Sequence, residues 1–207
     1  MEKSRDVWTI SYLLNWTINY FKSKGIESAR LDAEVLLSHV LGQKRIYLYV
    51  HFDEPMEAKE LAKFREYVAK RARHIPVAYI LGQREFMGLD FKVTKDTLIP
   101  RPDTEILVEN TIAKVNENFG DKQSYDIVDI GTGSGAIILS LLKNLTKAKG
   151  FTVDISANAV AVAKENAQNL QVDDRCEYFV GDLLEPVKDK VFDVFVSNPP
   201  YIPQKDI

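Results

Sequence analysis

The chain has 207 residues, 45% of them hydrophobic and 28% charged, a composition typical of a folded globular protein with room for one large or two small domains. Its formal net charge of -3 weighs against sequence-independent nucleic-acid binding, which shows as a strongly basic domain. A single cysteine, Cys176, excludes an internal disulfide.

The first apolar stretch, "VWTISYLLNWTINYF", is interrupted by Ser11, Asn15, Thr17 and Asn19. Ile10, Leu13, Leu14, Thr17, Ile18 and Phe21 share one helical face, which predicts an amphipathic core helix rather than a signal peptide or membrane span. No other stretch is long enough to cross a bilayer, so no membrane partner and a cytoplasmic location are expected. Gly25 ends this helix, and "SARLDAEVLLSHVLG" predicts a second, with Leu31, Val35, Leu36, His39 and Val40 inward and Gly42 as its stop. "KRIYLYVHF" fits a helical turn or a short strand. "EPMEAKELAKFREYVAKRARH" predicts a longer helix with Met56, Leu61, Phe64 and Val68 along its inner stripe. The expected first domain is therefore helical and covers residues 1–75.

Residues 76–100 read as a connector. Within it "REFMG" and "LDFKVT" alternate apolar and polar residues around a glycine, the pattern of a β-hairpin. From residue 101 the pattern changes again. "DTEILVENTIAKVNENF" predicts a helix with Asp103 as N-cap, followed by alternating strands and helices. That order gives an α/β fold with a mainly parallel sheet over residues 101–207.

The strongest local signal is "YDIVDIGTGSGAIILSLL": a buried strand Tyr125 to Ile130, a turn with Gly131, Gly133 and Gly135, then a helix from Ala136 to Leu145. Glycines let the backbone turn sharply and approach a ligand, while the helix N-terminus offers N–H groups. Counting Ala136, the loop also satisfies the loose dinucleotide fingerprint. Asp129, before the loop, would repel a pyrophosphate but attract an ammonium. The next strand, "KGFTVDIS", ends in Asp154, a carboxylate suited to both hydroxyls of a ribose or to capping the helix near Ser156. "CEYFVGDLL" ends in Asp182 and Leu183, a pair able to bracket an adenine. Ligands of open α/β sheets sit over the carboxyl ends of the strands, and these residues all fall there.

The fourth strand, expected over Val191 to Val196, ends in Asn198-Pro199-Pro200-Tyr201. The side-chain carbonyl of Asn198 and the backbone carbonyl of Pro199 can accept both hydrogens of a planar NH2 group, with Tyr201 on its face. This clamp suits a carboxamide or an aromatic amine. Holding an amide nitrogen in line with an electrophilic methyl favours a transition state in which its lone pair is restored. The expected catalytic residues are Asn198, Pro199 and Tyr201. His39, His51 and His74 are scattered, so no metal site is expected.

Taken in order, "DIGTGSGAI", "VDIS", "GDLL" and "SNPPY" resemble a class I S-adenosylmethionine-dependent methyltransferase. With the connector "PVAYILGQREFMGLDFKVTKDTLIPRPDTE", the resemblance is to the bacterial release factor glutamine methyltransferases and covers essentially the whole chain. It implies a helical domain that docks peptide chain release factors and methylation of the glutamine in their Gly-Gly-Gln motif. It assigns Gly131, Thr132, Gly133, Ser134 and Gly135 to the cofactor backbone, Asp154 to the ribose and Leu183 to the adenine. Asn198, Pro199, Pro200 and Tyr201 are assigned to the substrate amide, with Asn198 also touching the cofactor. Phe86, Arg101, Thr104 and Glu105 are implied to line the same site. Many relatives carry a large aromatic residue where this chain has Leu183, and their sheets have seven strands, so a sheet cut short after its fourth strand is expected here.

Four other readings compete. A ribosomal-protein glutamine methyltransferase shares these motifs. A DNA adenine methyltransferase shares "NPPY" but calls for a basic recognition region. An NAD(P)-dependent oxidoreductase fits the glycine loop but has no use for the strand-four clamp. The last is a module that binds cofactor or partner without turnover.

Overall fold

Thr9 starts the first helix: its hydroxyl accepts the N–H of Tyr12 at 3.3 Å, and α1 runs over Ile10–Ser23. Ile10, Leu13, Leu14, Thr17 and Phe21 form its buried stripe, as the periodicity predicts. The next helices are α2 (Ala29–Leu41), α3 (Tyr47–Val50), α4 (Ala58–Arg71) and α5 (Val77–Leu81). Gly42 closes α2 in the left-handed region at φ 63°. Glu57 and Glu60 form a reciprocal capping box at the start of α4. The ambiguous segment "KRIYLYVHF" is resolved as the helical turn α3.

The inner face of α2 differs from the expectation. Leu31 is 48% exposed and His39 is exposed, while Asp32 and Glu34 are buried beside Ala33, Leu36 and Leu37. The reason is ionic. The Asp32 carboxylate accepts Nε of Arg71 at 2.7 Å and the Ser28 hydroxyl at 2.8 Å. Glu34 accepts Nε of Arg30 at 3.0 Å, Nη2 of Arg45 at 2.5 Å and the hydroxyl of Tyr49. Burial works to raise the Glu34 pKa, but the hydrogen bonds from Tyr49, Arg45 and Arg30 outweigh it and hold the carboxyl below its ordinary value.

The computed structural model describes residues 8–199, and the chain divides after Leu81 into two compact units. The helices above make up the first. The second opens with the hairpin β1 (Gln83–Phe86) and β2 (Leu89–Lys92), paired antiparallel with Phe86 opposite Leu89. Its two-residue loop has Met87 at φ 53° and Gly88 at φ 69°, the geometry whose twist matches a hairpin.

The rest of this unit is an α/β layer: α6 (Asp103–Phe119), β3 (Tyr125–Ile130), α7 (Ala136–Asn144), β4 (Ala148–Asp154), α8 (Ala157–Asn169), β5 (Cys176–Val180) and β6 (Val194–Ser197). The four strands β3 to β6 are parallel, in the order β5-β4-β3-β6. Pro102, not Asp103, is the N-cap of α6; Asp103 is its first residue, where a negative charge still complements the helix dipole. β6 starts later than expected. Val191 is 90% exposed, and the Asp193 carboxylate is held by the N–H of Asp126 and by Lys122, so pairing begins only at Val194.

One face of the sheet carries Ile127 and Val196 against Val108 and Val115 of α6, Ile138, Leu141 and Leu142 of α7, and Ala167 of α8. On the other, Val128, Ile130, Phe151 and Val153 pack with Val187. Close approach decides two glycines: a Cβ on Gly150 would lie 2.9 Å from Ile138 and one on Gly135 2.9 Å from Leu139. At Gly150 the missing side chain leaves room for Ile138 and Leu142 of α7 against the sheet. Among the described residues, no helix is long and apolar enough to cross a membrane.

Candidate functional site

The carboxyl ends of β3, β4, β5 and β6 line up along one edge of the sheet. Gly131 and Gly133 leave β3 at φ 74° and 55°, and Gly135 caps α7 at φ 81°. The loop is held mostly by its own N–H groups. Those of Gly131 and Thr132 donate to the Val153 carbonyl at 2.8 and 3.2 Å, that of Gly133 to Oδ2 of Asp154 at 2.9 Å, and that of Gly135 to the Thr132 carbonyl at 2.8 Å. These four N–H groups are thus spent within the protein rather than offered to a phosphate.

Asp154 stands at the tip of β4. One oxygen takes Gly133 and the other the N–H of Ser156 at 2.9 Å, and each retains a lone pair beyond the bond shown. Capping of α8 falls to Ser156, whose hydroxyl accepts the N–H of Ala159. Leu183, past the end of β5, is 66% exposed and has φ 46°, a strained backbone for a residue with a branched side chain.

Asp129 departs from its expected part. It is fully buried beneath the loop, with Oδ2 accepting the Thr132 hydroxyl at 2.9 Å and Oδ1 without a hydrogen-bond partner. Burial pushes its pKa up to about 7 against the pull of the Thr132 hydroxyl and of the Ile138 N–H.

β6 lies directly beside β3, with Ser197 opposite Ile130. The Ser197 hydroxyl donates to the Ile130 carbonyl at 2.8 Å, fixing the strand end. Asn198 follows, and its Nδ2 donates to Oγ1 of Thr104 at 3.1 Å. The next residue of α6, Glu105, accepts the N–H of Met87 in the hairpin turn at 2.8 Å. Pro199 is exposed; Pro200 and Tyr201 lie outside the described residues.

Comparison with known proteins gives this arrangement a lineage. The family model described as the PrmC N-terminal domain matches residues 12–82, and that of the methyltransferase small domain matches residues 104–207. A release factor glutamine methyltransferase of Geobacter sulfurreducens is 45% identical over 207 residues, covering 100% of this chain and 70% of its own length. One of Rhodopirellula baltica is 44% identical over 207 residues, with 99% and 70% covered. The chain belongs to the release factor glutamine methyltransferase family. It spans 70% of the length of these relatives.

The cofactor of such a methyltransferase is S-adenosylmethionine, and the loop fits it. A Cβ built on Gly131 meets nothing within 4 Å, so the space over the first glycine is open. Beside it, Asp154 is a carboxylate already oriented by two backbone N–H groups. An open glycine turn next to a fixed carboxylate suits a nucleoside and disfavours a phosphate.

Of the residues implied to line the site, Thr104 is joined to it by its hydrogen bond with Asn198, while Glu105 bonds instead to the hairpin turn at Met87. Phe86 is not part of it: it is 1% exposed in the hydrophobic core, edge-on to Phe91 at 6.1 Å between ring centres. Arg101 is exposed.

Sequence reasoning missed Asn166. Fully buried in α8, it donates through Nδ2 to the carbonyls of Ser134 (2.8 Å) and Lys92 (3.0 Å), while Oδ1 accepts the N–H of Lys92 at 2.8 Å. One side chain thus ties the glycine loop to the hairpin. The available signal was an asparagine inside a helix, where its propensity is poor and a specific partner is the usual reason. Among the described residues, no group of three or more His, Cys, Asp or Glu side chains is arranged to hold a metal ion.

Proposed function

We propose that the chain transfers the methyl group of S-adenosylmethionine to the side-chain amide nitrogen of the glutamine in the Gly-Gly-Gln motif of peptide chain release factors. The observation that carries this reading is the register of β3 and β6. With Ser197 opposite Ile130, the glycine loop and Asn198 leave adjacent strands at the same level. Neighbouring strands are about 4.8 Å apart, so a ligand over the loop and an amide at Asn198 are next to each other.

In this reading Gly131 to Gly135 lie along the cofactor, Asp154 takes its ribose hydroxyls and Leu183 covers its adenine. Bound there, S-adenosylmethionine supplies an electrophilic sulfonium methyl. The work of the chain is to hold the substrate. Asn198 and the Pro199 carbonyl accept the two hydrogens of the glutamine amide, and Pro200 and Tyr201 complete the wall. With both hydrogens held, the amide nitrogen cannot turn away, and developing positive charge on it is met by two acceptors. No base is required before transfer. Asp129 is buried under the loop and Asp154 is tied to it, so the proton leaves to water afterwards.

The helical unit docks the release factor, and the reaction takes place in the cytoplasm without nucleic acid or membrane. The test is transfer of labelled methyl from S-adenosylmethionine to a purified release factor, with a Gln→Ala variant of its Gly-Gly-Gln motif and duplex DNA in parallel. Label on the intact motif alone supports the reading. Label on the altered factor or on DNA overturns it.

A further inference from the structure

Asn198 has to do something its chemistry does not guarantee. A carboxamide has an acceptor edge and a donor edge of nearly equal size. Only the acceptor edge can take a hydrogen from a substrate amide; with the edges exchanged, donor meets donor. The side chain also stands at a strand end, where two torsions must be fixed for either edge to point anywhere.

The backbone is fixed from one side. The Ser197 hydroxyl on the Ile130 carbonyl pins the residue before Asn198 to β3. The side chain is fixed from another: its Nδ2 donates to Oγ1 of Thr104 at 3.1 Å. Thr104 itself sits on a rigid support. Its N–H donates to the Arg101 carbonyl at 3.0 Å and that of Glu105 to the Pro102 carbonyl at 2.9 Å, closing the first turn of α6. Val108 and Val115 root that helix in the core at 0% and 2% exposure. Glu105 at the same turn holds the N–H of Met87, where the hairpin backbone is at positive φ. One helical turn therefore braces the strand end and the hairpin turn together.

We propose that Thr104 is a positioning residue for the methyl-transfer site: its hydroxyl oxygen accepts from Nδ2 of Asn198 and thereby holds that side chain in the orientation the substrate amide meets. This deepens the function proposed above and rests on it. Thr104 need touch neither cofactor nor substrate; its effect passes through Asn198.

The test uses the full chain with Thr104→Val, which keeps the shape and removes the oxygen, and Thr104→Ser, which restores it. Three quantities are read: kcat and KM with a release factor, the affinity for S-adenosylmethionine by calorimetry, and the side-chain amide signals of Asn198 in a ¹H–¹⁵N spectrum, assigned by their loss in Asn198→Asp. Misplacing a reacting group by about 1 Å costs up to about a hundredfold, so Thr104→Val is expected to lower kcat by about ten- to a hundredfold. Cofactor affinity should change by less than about threefold, and KM by less than kcat, since the helical unit proposed to dock the release factor is unaltered. The Asn198 amide protons should shift and exchange faster in Thr104→Val and return in Thr104→Ser.

Wild-type kcat in Thr104→Val, a defect confined to KM, or unmoved Asn198 signals each overturn the proposal. If Thr104→Val does not fold, Thr104→Ala removes the same oxygen with a residue that favours helix. If the unaltered chain does not methylate a release factor, the function proposed above fails on its own, and the amide signals still decide whether Thr104 holds Asn198.

Discussion

The carboxylate of Asp154 accepts the N–H of Gly133 at 2.9 Å, joining the tip of β4 to the middle of the glycine loop. The residue proposed to receive the ribose is therefore also the residue that shapes the loop over which the cofactor lies. Asp154→Asn keeps the size and exchanges one acceptor for a donor, which meets the Gly133 or Ser156 N–H head-on or loses a ribose bond. Hydrogen bonds to charged groups contribute about 1.5–3 kcal/mol, so S-adenosylmethionine affinity should fall about ten- to a hundredfold in calorimetric titration. Unchanged affinity would remove Asp154 from the cofactor site.

Two glycines of the same loop should respond oppositely to alanine. At Gly135, φ is 81° and a Cβ would stand 2.9 Å from Leu139 and 3.2 Å from Ala163, so Gly135→Ala meets both backbone strain and overpacking. Together these cost about 2–4 kcal/mol of stability. At Gly131, φ is 74° but a Cβ meets nothing, leaving only the backbone term of about 1–2 kcal/mol. The new methyl would occupy the space assigned to the ligand. Gly131→Ala is expected to stay folded and lose cofactor binding, whereas Gly135→Ala chiefly loses stability. Urea titrations of both variants, with and without S-adenosylmethionine, separate the two cases. Equal behaviour would mean that the open side of Gly131 is not the ligand side.

Much of this site was legible in the sequence because it is local. Tyr125–Ile130 is a strand with the expected bounds, the glycines that follow take positive φ, and the strand-end residues are brought to one edge by parallel order alone. What was not legible is long-range. Asp32 and Glu34 sit on the inner face of α2 because Arg71 and Arg45 reach them from 39 and 11 residues away, and no helical periodicity encodes that. Asp129 lies on a strand face that looks like any other until α7 closes over it. Asn166 reaches Lys92 across 74 residues. Phe86 is separated from the site by the hairpin's choice of face, which a four-residue strand leaves open.

The buried carboxylate of the helical unit offers a separate test. Glu34 is 2% exposed and takes hydrogen bonds from Tyr49, Arg45 and Arg30, which hold its pKa below the ordinary 4.5. Its contribution is therefore present above 4.5 and is lost as pH falls through the lowered folded value. Glu34→Gln keeps the shape but not the charge, and should cost about 1.5–3 kcal/mol at neutral pH. Both tryptophans of the chain, Trp8 and Trp16, lie in this unit, so fluorescence-detected urea unfolding reads it selectively. An unchanged midpoint would show that the two arginines prefer water.

Asp129 predicts the opposite pH dependence for the second unit. In the unfolded chain its carboxyl ionises near its ordinary 3.8, while burial beneath the loop keeps the proton up to about 7. The folded form thus binds the proton more tightly. Its full stability is present below 3.8, declines as pH rises through the window and levels off above about 7. Integrated over that window, the loss is on the order of 4 kcal/mol. Asp129→Asn cannot ionise and can still meet the Thr132 hydroxyl. It should match the unaltered chain near pH 4 and become progressively the more stable as pH rises to 8. The single cysteine supplies the probe. Cys176 is 9% exposed in the same unit and its pKa is pushed up to about 12 by burial, so its thiol reacts only when that unit opens. Pulsed thiol labelling across urea, with both proteins compared at each pH, gives the two stability curves. Curves that run parallel from pH 4 to 8 would mean that Asp129 is ionised in the fold, with the Thr132 hydroxyl and the Ile138 N–H outweighing its burial.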